Sequence, residues 1–129
     1  MGRAGRYDGK VTFSLGAVTI HMPHAIVWER MTEGDREHAN ALRHAIYHHE
    51  VGHVRIAEAV RDALNASGAV SSRDRAGFSA AAESVGRAGF ARFKREERAY
   101  DALTDHGRNQ RAAPGELAGP NTVLLCSSA

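Results

Sequence analysis

His49, Glu50, Val51, Gly52 and His53 form an H-E-x-x-H pattern inside the stretch YHHEVGH, residues 47–53. Metal-assisted hydrolysis is the chemistry that these residue types suit at this spacing. On a helix, residues four apart lie one turn apart on the same face, so the two imidazoles converge on one ion. A glutamate beside the first imidazole reaches the water on such an ion rather than the ion itself, and serves as its general base. With 8 histidines in 129 residues, the bare pattern arises by chance in roughly three of every hundred such chains. The element that carries these side chains therefore matters more than the pattern.

That element reads as a long helix over residues 36–65, with Asp35 as its N-cap and Ser67–Gly68 as its stop. Leu42, Ile46, His49, His53, Ile56, Val60 and Leu64 recur at spacings of three and four, which is one face of a helix. Both histidines of the pattern thus sit in the apolar stripe. Neutral imidazoles on a core face need polar partners, and a shared zinc ion satisfies both. Gly52 keeps the helix slim beside them, where a substrate or another segment can approach. His48 lies about 100° around the helix from His49 and falls outside the stripe. His44 sits on the solvent side, His38 near the helix start, and His21 and His24 at a strand end.

Two strands are expected upstream. Val11, Phe13 and Leu15 alternate with polar residues, as do Val18, Ile20 and Met22, with Gly16 at the turn and Pro23 as the stop. A second helix is expected from the capping box of Ser71 and Asp74 to about Leu103. Its apolar face holds Phe78, Ala82, Val85, Gly89, Phe93, Glu96, Tyr100 and Leu103. The short link implies an antiparallel helix pair. After Gly107 the periodicity stops, and Pro114, Gly115, Gly119 and Pro120 mark an irregular tail. TVLLC, residues 122–126, reads as a short strand or an apolar plug. The expected fold is α+β: a small antiparallel sheet or hairpin at the N-terminus, packed on a long active-site helix and a second antiparallel helix. One domain covers residues 1–129, with its core over 10–110 and a tail over 111–129.

A catalytic zinc site takes a third protein ligand and keeps a fourth position open. Spacing offers three candidates: Glu96 on the inward face of the second helix, Asp101 near its end, and His106 just beyond it, where Gly107 permits a sharp turn. The single cysteine, Cys126, excludes an internal disulfide, and its thiolate is a candidate cap for the open position.

Composition narrows the remaining classes. Lys and Arg number 17 against 15 Asp and Glu, and they are interleaved rather than clustered. No nucleic-acid partner is expected. No apolar run is long enough for a membrane span, and the N-terminal MGRAGRYDGK lacks the apolar core of a signal peptide.

HHEVGH followed by YDALTDHGRNQ, residues 48–53 and 100–110, resembles a bacterial family of predicted zinc-dependent proteases with a zincin-like character. The shared pattern is H-E-x-G-H, then Y-D-x-x-T-x-H-G-x-x-Q, here Tyr100, Asp101, Thr104, His106, Gly107 and Gln110. VTIHMP and Trp28 resemble the strand and tryptophan that precede the helix in that family, so the likeness spans roughly residues 10–110. The resemblance implies a small zinc metallopeptidase acting on a peptide or protein. It implies His49, His53 and His106 as ligands and Glu50 as general base. Asp101 then accepts a hydrogen bond from a ligand imidazole, and Tyr100 is a candidate donor to the oxyanion. Residues 17–22 would hold an extended peptide by main-chain pairing. Members of that family are often exported, a property for which this N-terminus gives no signal. The competing readings are a zinc staple with four protein ligands and no catalysis, and a metal-free interaction domain.

Overall fold

The structure is a computed structural model that describes residues 5–23 and 28–121. Its elements are strand β1 (Tyr7–Lys10), a 3-10 turn (Trp28–Arg30), helix α1 (Glu33–Ala66), strand β2 (Ala69–Ser72), helix α2 (Arg75–Thr104) and two further 3-10 turns (Gln110–Ala112 and Gly115–Leu117). Among the described residues, the fold is α+β, with one two-stranded antiparallel sheet, two long helices and an irregular segment after α2. TVLLC, Cys126 and His24 lie outside the described residues. No helix among the described residues is long and apolar enough to cross a membrane. The fold divides into two compact units, residues 1–17 with 56–97 and residues 18–55 with 98–129, and each long helix contributes a stretch to both.

The first unit holds the sheet, which differs from the expected hairpin. β1 pairs with β2, with Tyr7 opposite Ser72 and Lys10 opposite Ala69, so the partner strand comes from the link between the helices. Residues 11–23 form no ladder. The alternation over Val11–Leu15 has another cause. Asn65, at the end of α1, brackets Phe13: its Oδ1 accepts from the Phe13 N–H at 2.7 Å and its Nδ2 donates to the Phe13 carbonyl at 3.0 Å. One amide side chain thus replaces a neighbouring strand and satisfies both main-chain groups. The Phe13 ring lies against Gly89 of α2 and Leu64 of α1, and a side chain at Gly89 would fill its place. Residues 17–22 likewise form no strand, and only Ile20 and Met22 are half-buried. The main-chain pairing expected there for a substrate has no strand to start from.

Both helix starts are capped, and each differs from what was expected. At α1 the N-cap is Thr32, three residues earlier than Asp35. The Asp35 N–H donates to Thr32 Oγ1 at 3.1 Å, and the Thr32 N–H donates to Asp35 Oδ2 at 3.4 Å. The two side chains cap each other's main chain, a reciprocal box in which Asp35 takes the third helical position. At α2 the expected box of Ser71 and Asp74 does not form, because Ser71 belongs to β2 opposite Asp8; Asp74 itself is the cap, its Oδ1 accepting from the Gly77 N–H at 2.6 Å. Asp74→Ala is expected to lower the unfolding free energy by about 1 kcal/mol, readable as a shift of the urea midpoint at constant slope.

The second unit buries polar and aromatic side chains beside small ones. Ala45, His49 and Gly52 are the buried positions of α1 here, and Tyr100 and Thr104 those of α2. The expected inward face of α2 holds at Tyr100 but fails at Leu103, which is exposed; in the first unit, Glu96 is exposed too.

Candidate metal centre

Within the second unit, α1 supplies two imidazoles and the last turn of α2 a carboxylate. His49 Nε2 lies 3.1 Å, and His53 Nε2 2.8 Å, from the same atom, Asp101 Oδ1. The three donor atoms lie within 4.8 Å of one another. Donors around a tetrahedral zinc at about 2.0–2.2 Å stand roughly 3.3–3.5 Å apart. The two Asp101 pairs stand slightly inside that spacing and the whole set within 4.8 Å, so the three groups could share one small cation with the carboxylate moving outward and the imidazole nitrogens readjusting. Two imidazole nitrogens and one carboxylate oxygen are also a donor set that suits zinc. His49 is buried, while the His53 and Asp101 side chains are 21% and 33% exposed. The cluster therefore has a closed side and a side that water or a substrate can reach.

Tyr100 and Gln110 form the closed side. The Tyr100 ring stacks on His49 at 4.8 Å and 9°, and meets His53 edge-on at 4.8 Å and 85°. Such close stacking needs Gly52: a side chain at that position would overlap the Tyr100 hydroxyl and ring. The Tyr100 hydroxyl donates to the His49 carbonyl at 3.1 Å. Tyr100, a candidate oxyanion donor on sequence, thus has its hydroxyl proton directed to the main chain. Gln110 is fully buried. Its Oε1 lies 2.8 Å from His49 Nδ1, and its Nε2 donates to the Tyr100 hydroxyl and to the Leu117 carbonyl, each at 2.6 Å.

Helix α2 ends in a left-handed turn that wraps the site. The His106 N–H donates to the Asp101 carbonyl at 2.8 Å and the Asp105 N–H to the Ala102 carbonyl at 3.4 Å. That pair of bonds is a Schellman termination with Asp105 in the left-handed position. Asp105, His106 and Gly107 have successive φ values of 48°, 54° and 95°. The first two are not glycine, and a left-handed residue of this kind costs about 1–2 kcal/mol. Thr104 holds the turn: its hydroxyl donates to the Tyr100 carbonyl at 2.8 Å and accepts from the Gly107 N–H at 3.3 Å. Gly107 packs its main chain on the His49 ring, where a Cβ would stand 3.0 Å from Cγ. Gly107→Ala is expected to destabilise by about 1–3 kcal/mol, seen as a lower thermal midpoint.

Each expected site residue now has a place. His49 and His53 converge. Asp101, a candidate ligand by spacing and a hydrogen-bond acceptor by resemblance, has one oxygen directly between them. His106 lies beside this group: its Nδ1 is 3.7 Å from Asp101 Oδ2 and its side chain is 78% exposed. Glu96 is exposed and outside the cluster. Glu50 is half-buried and engages no hydrogen bond or ion pair among the described residues. Sequence reasoning overlooked two groups. Gln110 was noted only as part of a shared motif. His48, set aside as lying outside the stripe, donates from Nε2 to the Ala118 carbonyl at 3.2 Å and so ties down the segment after α2.

Among known families, that of the bacterial proteins of unknown function grouped as DUF922 matches residues 9–107. No curated protein and no solved structure matches the chain. The matched span takes in His49, Glu50, His53, Asp101 and His106, and ends before Gln110 and Leu117.

Proposed function

We propose, for a chain that belongs to the DUF922 family of bacterial proteins of unknown function, that it is a zinc-dependent hydrolase and acts as a peptidase. The convergence of His49 Nε2, His53 Nε2 and Asp101 Oδ1 beside an uncommitted Glu50 carries this reading. His49, His53 and Asp101 would hold the ion. His106, the ligand expected from the resemblance, stands next to Asp101, on the exposed side. A zinc ion bound there supplies a Lewis acid that polarises a carbonyl and makes water acidic. The Glu50 carboxylate takes the proton of the attacking water and returns it to the leaving amine. The Tyr100 ring and the Gly107 main chain exclude water from the inner face of the His49 imidazole.

A zinc staple without catalysis is the second reading, and the position of His106 favours it. A fourth protein donor beside Asp101 would close the coordination sphere and leave no place for a substrate. Elemental mass spectrometry of protein purified without added metal, combined with digestion of an unfolded polypeptide such as casein, separates the cases. One zinc per chain and cleavage that stops on chelation are expected for the hydrolase. Zinc without cleavage is the staple, and absence of zinc with no stabilisation on adding it overturns both.

A further inference from the structure

Gln110 lies beyond the family-matched span, and its fully buried side chain makes three hydrogen bonds whose proton directions can be assigned one by one. The chain of assignments starts at two main-chain carbonyls, which only accept. The Leu117 carbonyl, 2.6 Å from the Gln110 amide, must face its nitrogen, so that Nε2 donates. The reverse amide orientation would set two oxygens against each other. The His49 carbonyl, 3.1 Å from the Tyr100 hydroxyl, takes that hydroxyl's proton. The Tyr100 oxygen is then left to accept, and the second Gln110 N–H supplies it at 2.6 Å. With both amide protons placed, Gln110 Oε1 faces His49 Nδ1 at 2.8 Å as an acceptor only. His49 Nδ1 must therefore carry a proton.

A neutral imidazole has one N–H and one bare nitrogen. Once Nδ1 holds the proton, the bare nitrogen is Nε2, the atom aimed at Asp101 Oδ1. A lone pair 3.1 Å from a carboxylate oxygen is repelled unless a cation lies between the two: a proton, which makes His49 an imidazolium, or a metal ion. We propose that Gln110 is the positioning residue that fixes His49 in the Nδ1–H tautomer and so presents Nε2 as a ready metal donor. The Leu117 carbonyl and Tyr100 hold Gln110 in the one amide orientation that does this. The segment after α2 thereby acts on the metal centre without touching the ion. This inference rests on the zinc reading only for its consequence; the tautomer itself is a property of the protein without metal.

Two measurements test it separately. Long-range proton–nitrogen NMR of the zinc-free protein at about pH 9, where free imidazole is neutral, reads which His49 nitrogen bears hydrogen. A protonated Nδ1 is expected, and a bare Nδ1 overturns the proposal, whatever the protein does with zinc. Zinc titration in competition with a chelator then compares the wild type with Gln110→Met and Gln110→Glu. The methionine keeps the volume and removes the acceptor; it is expected to weaken zinc binding about 10–100-fold and to leave His49 with mixed tautomers. The glutamate keeps an oxygen toward Nδ1 but loses the N–H bonds to Tyr100 and the Leu117 carbonyl, so it is expected to recover only part of the affinity and to fall between the methionine and the wild type. Equal affinity in all three overturns the positioning role while leaving the zinc site standing. Failure of the wild type to bind zinc overturns the metal reading instead, and the NMR result still decides Gln110. Should either variant fail to fold, the wild-type spectrum alone remains decisive.

Discussion

On the hydrolase reading proposed above, Glu50→Gln is expected to keep zinc and to lower cleavage by about 10²–10⁴-fold, the usual contribution of a positioned general base. The substitution preserves volume and hydrogen-bonding reach and removes only the ability to take a proton. Glu50 lies in the middle of α1, follows His49 directly and is tied to no other described side chain. Its replacement therefore has little to disturb in the fold, and thermal midpoints of wild type and variant should agree. The readout is the kcat for an unfolded polypeptide, measured on protein carrying one zinc per chain by elemental analysis. A variant as active as the wild type removes Glu50 from the chemistry. A wild type with zinc and no activity, matched by a silent variant, turns the centre into a staple. Loss of zinc along with activity would mean that Glu50 supports the ligands instead.

Asp101→Ala is expected to weaken zinc binding by more than the roughly 10–100-fold typical of groups that merely support a ligand. His106→Ala is expected to change it far less. The contrast follows from position. Asp101 Oδ1 is shared by both imidazoles at 2.8 and 3.1 Å, whereas the His106 imidazole is mostly in solvent and faces the other carboxylate oxygen at 3.7 Å. Removing Asp101 leaves two imidazoles aimed at an ion with no anionic donor to balance its charge. Removing His106 leaves that set intact. Competition titration of both variants settles the third ligand. A large loss in His106→Ala with near-normal binding in Asp101→Ala reverses the assignment and restores the ligand set implied by the resemblance.

The helix that carries the centre was legible because its signal is local. A stripe repeating every three to four residues is set by the pitch of the α-helix, and the stripe placed His49 and His53 one turn apart on an inward face. The stop at Ser67–Gly68 and a cap near Asp74 were legible for the same reason, since capping is a bond across two or three residues, but Ser71, expected to share that cap, is taken by β2. The strands were not. Alternation over Val11–Leu15 specifies an extended chain, but not what pairs with it, and here an asparagine side chain at the end of α1 supplies the bonds. β1 was missed because YDGK shows no apolar alternation, and all four of its residues are exposed.

The centre divides along the same line. Residue types and helical spacing by themselves determined that two imidazoles and a neighbouring carboxylate lie on one helix with the means to handle a metal and a proton. They left the third donor open among Glu96, Asp101 and His106, because sequence distance says nothing about which side of a second helix faces the first. Only the tertiary structure decided that Asp101 joins the imidazoles, that Glu96 faces water, and that the Schellman turn carries His106 to the rim. It also assigned Gln110, whose amide matters through three partners at positions 49, 100 and 117. Hydrogen bonds between residues so far apart in sequence leave no periodic trace, and they become visible only when folding brings their donors and acceptors into line.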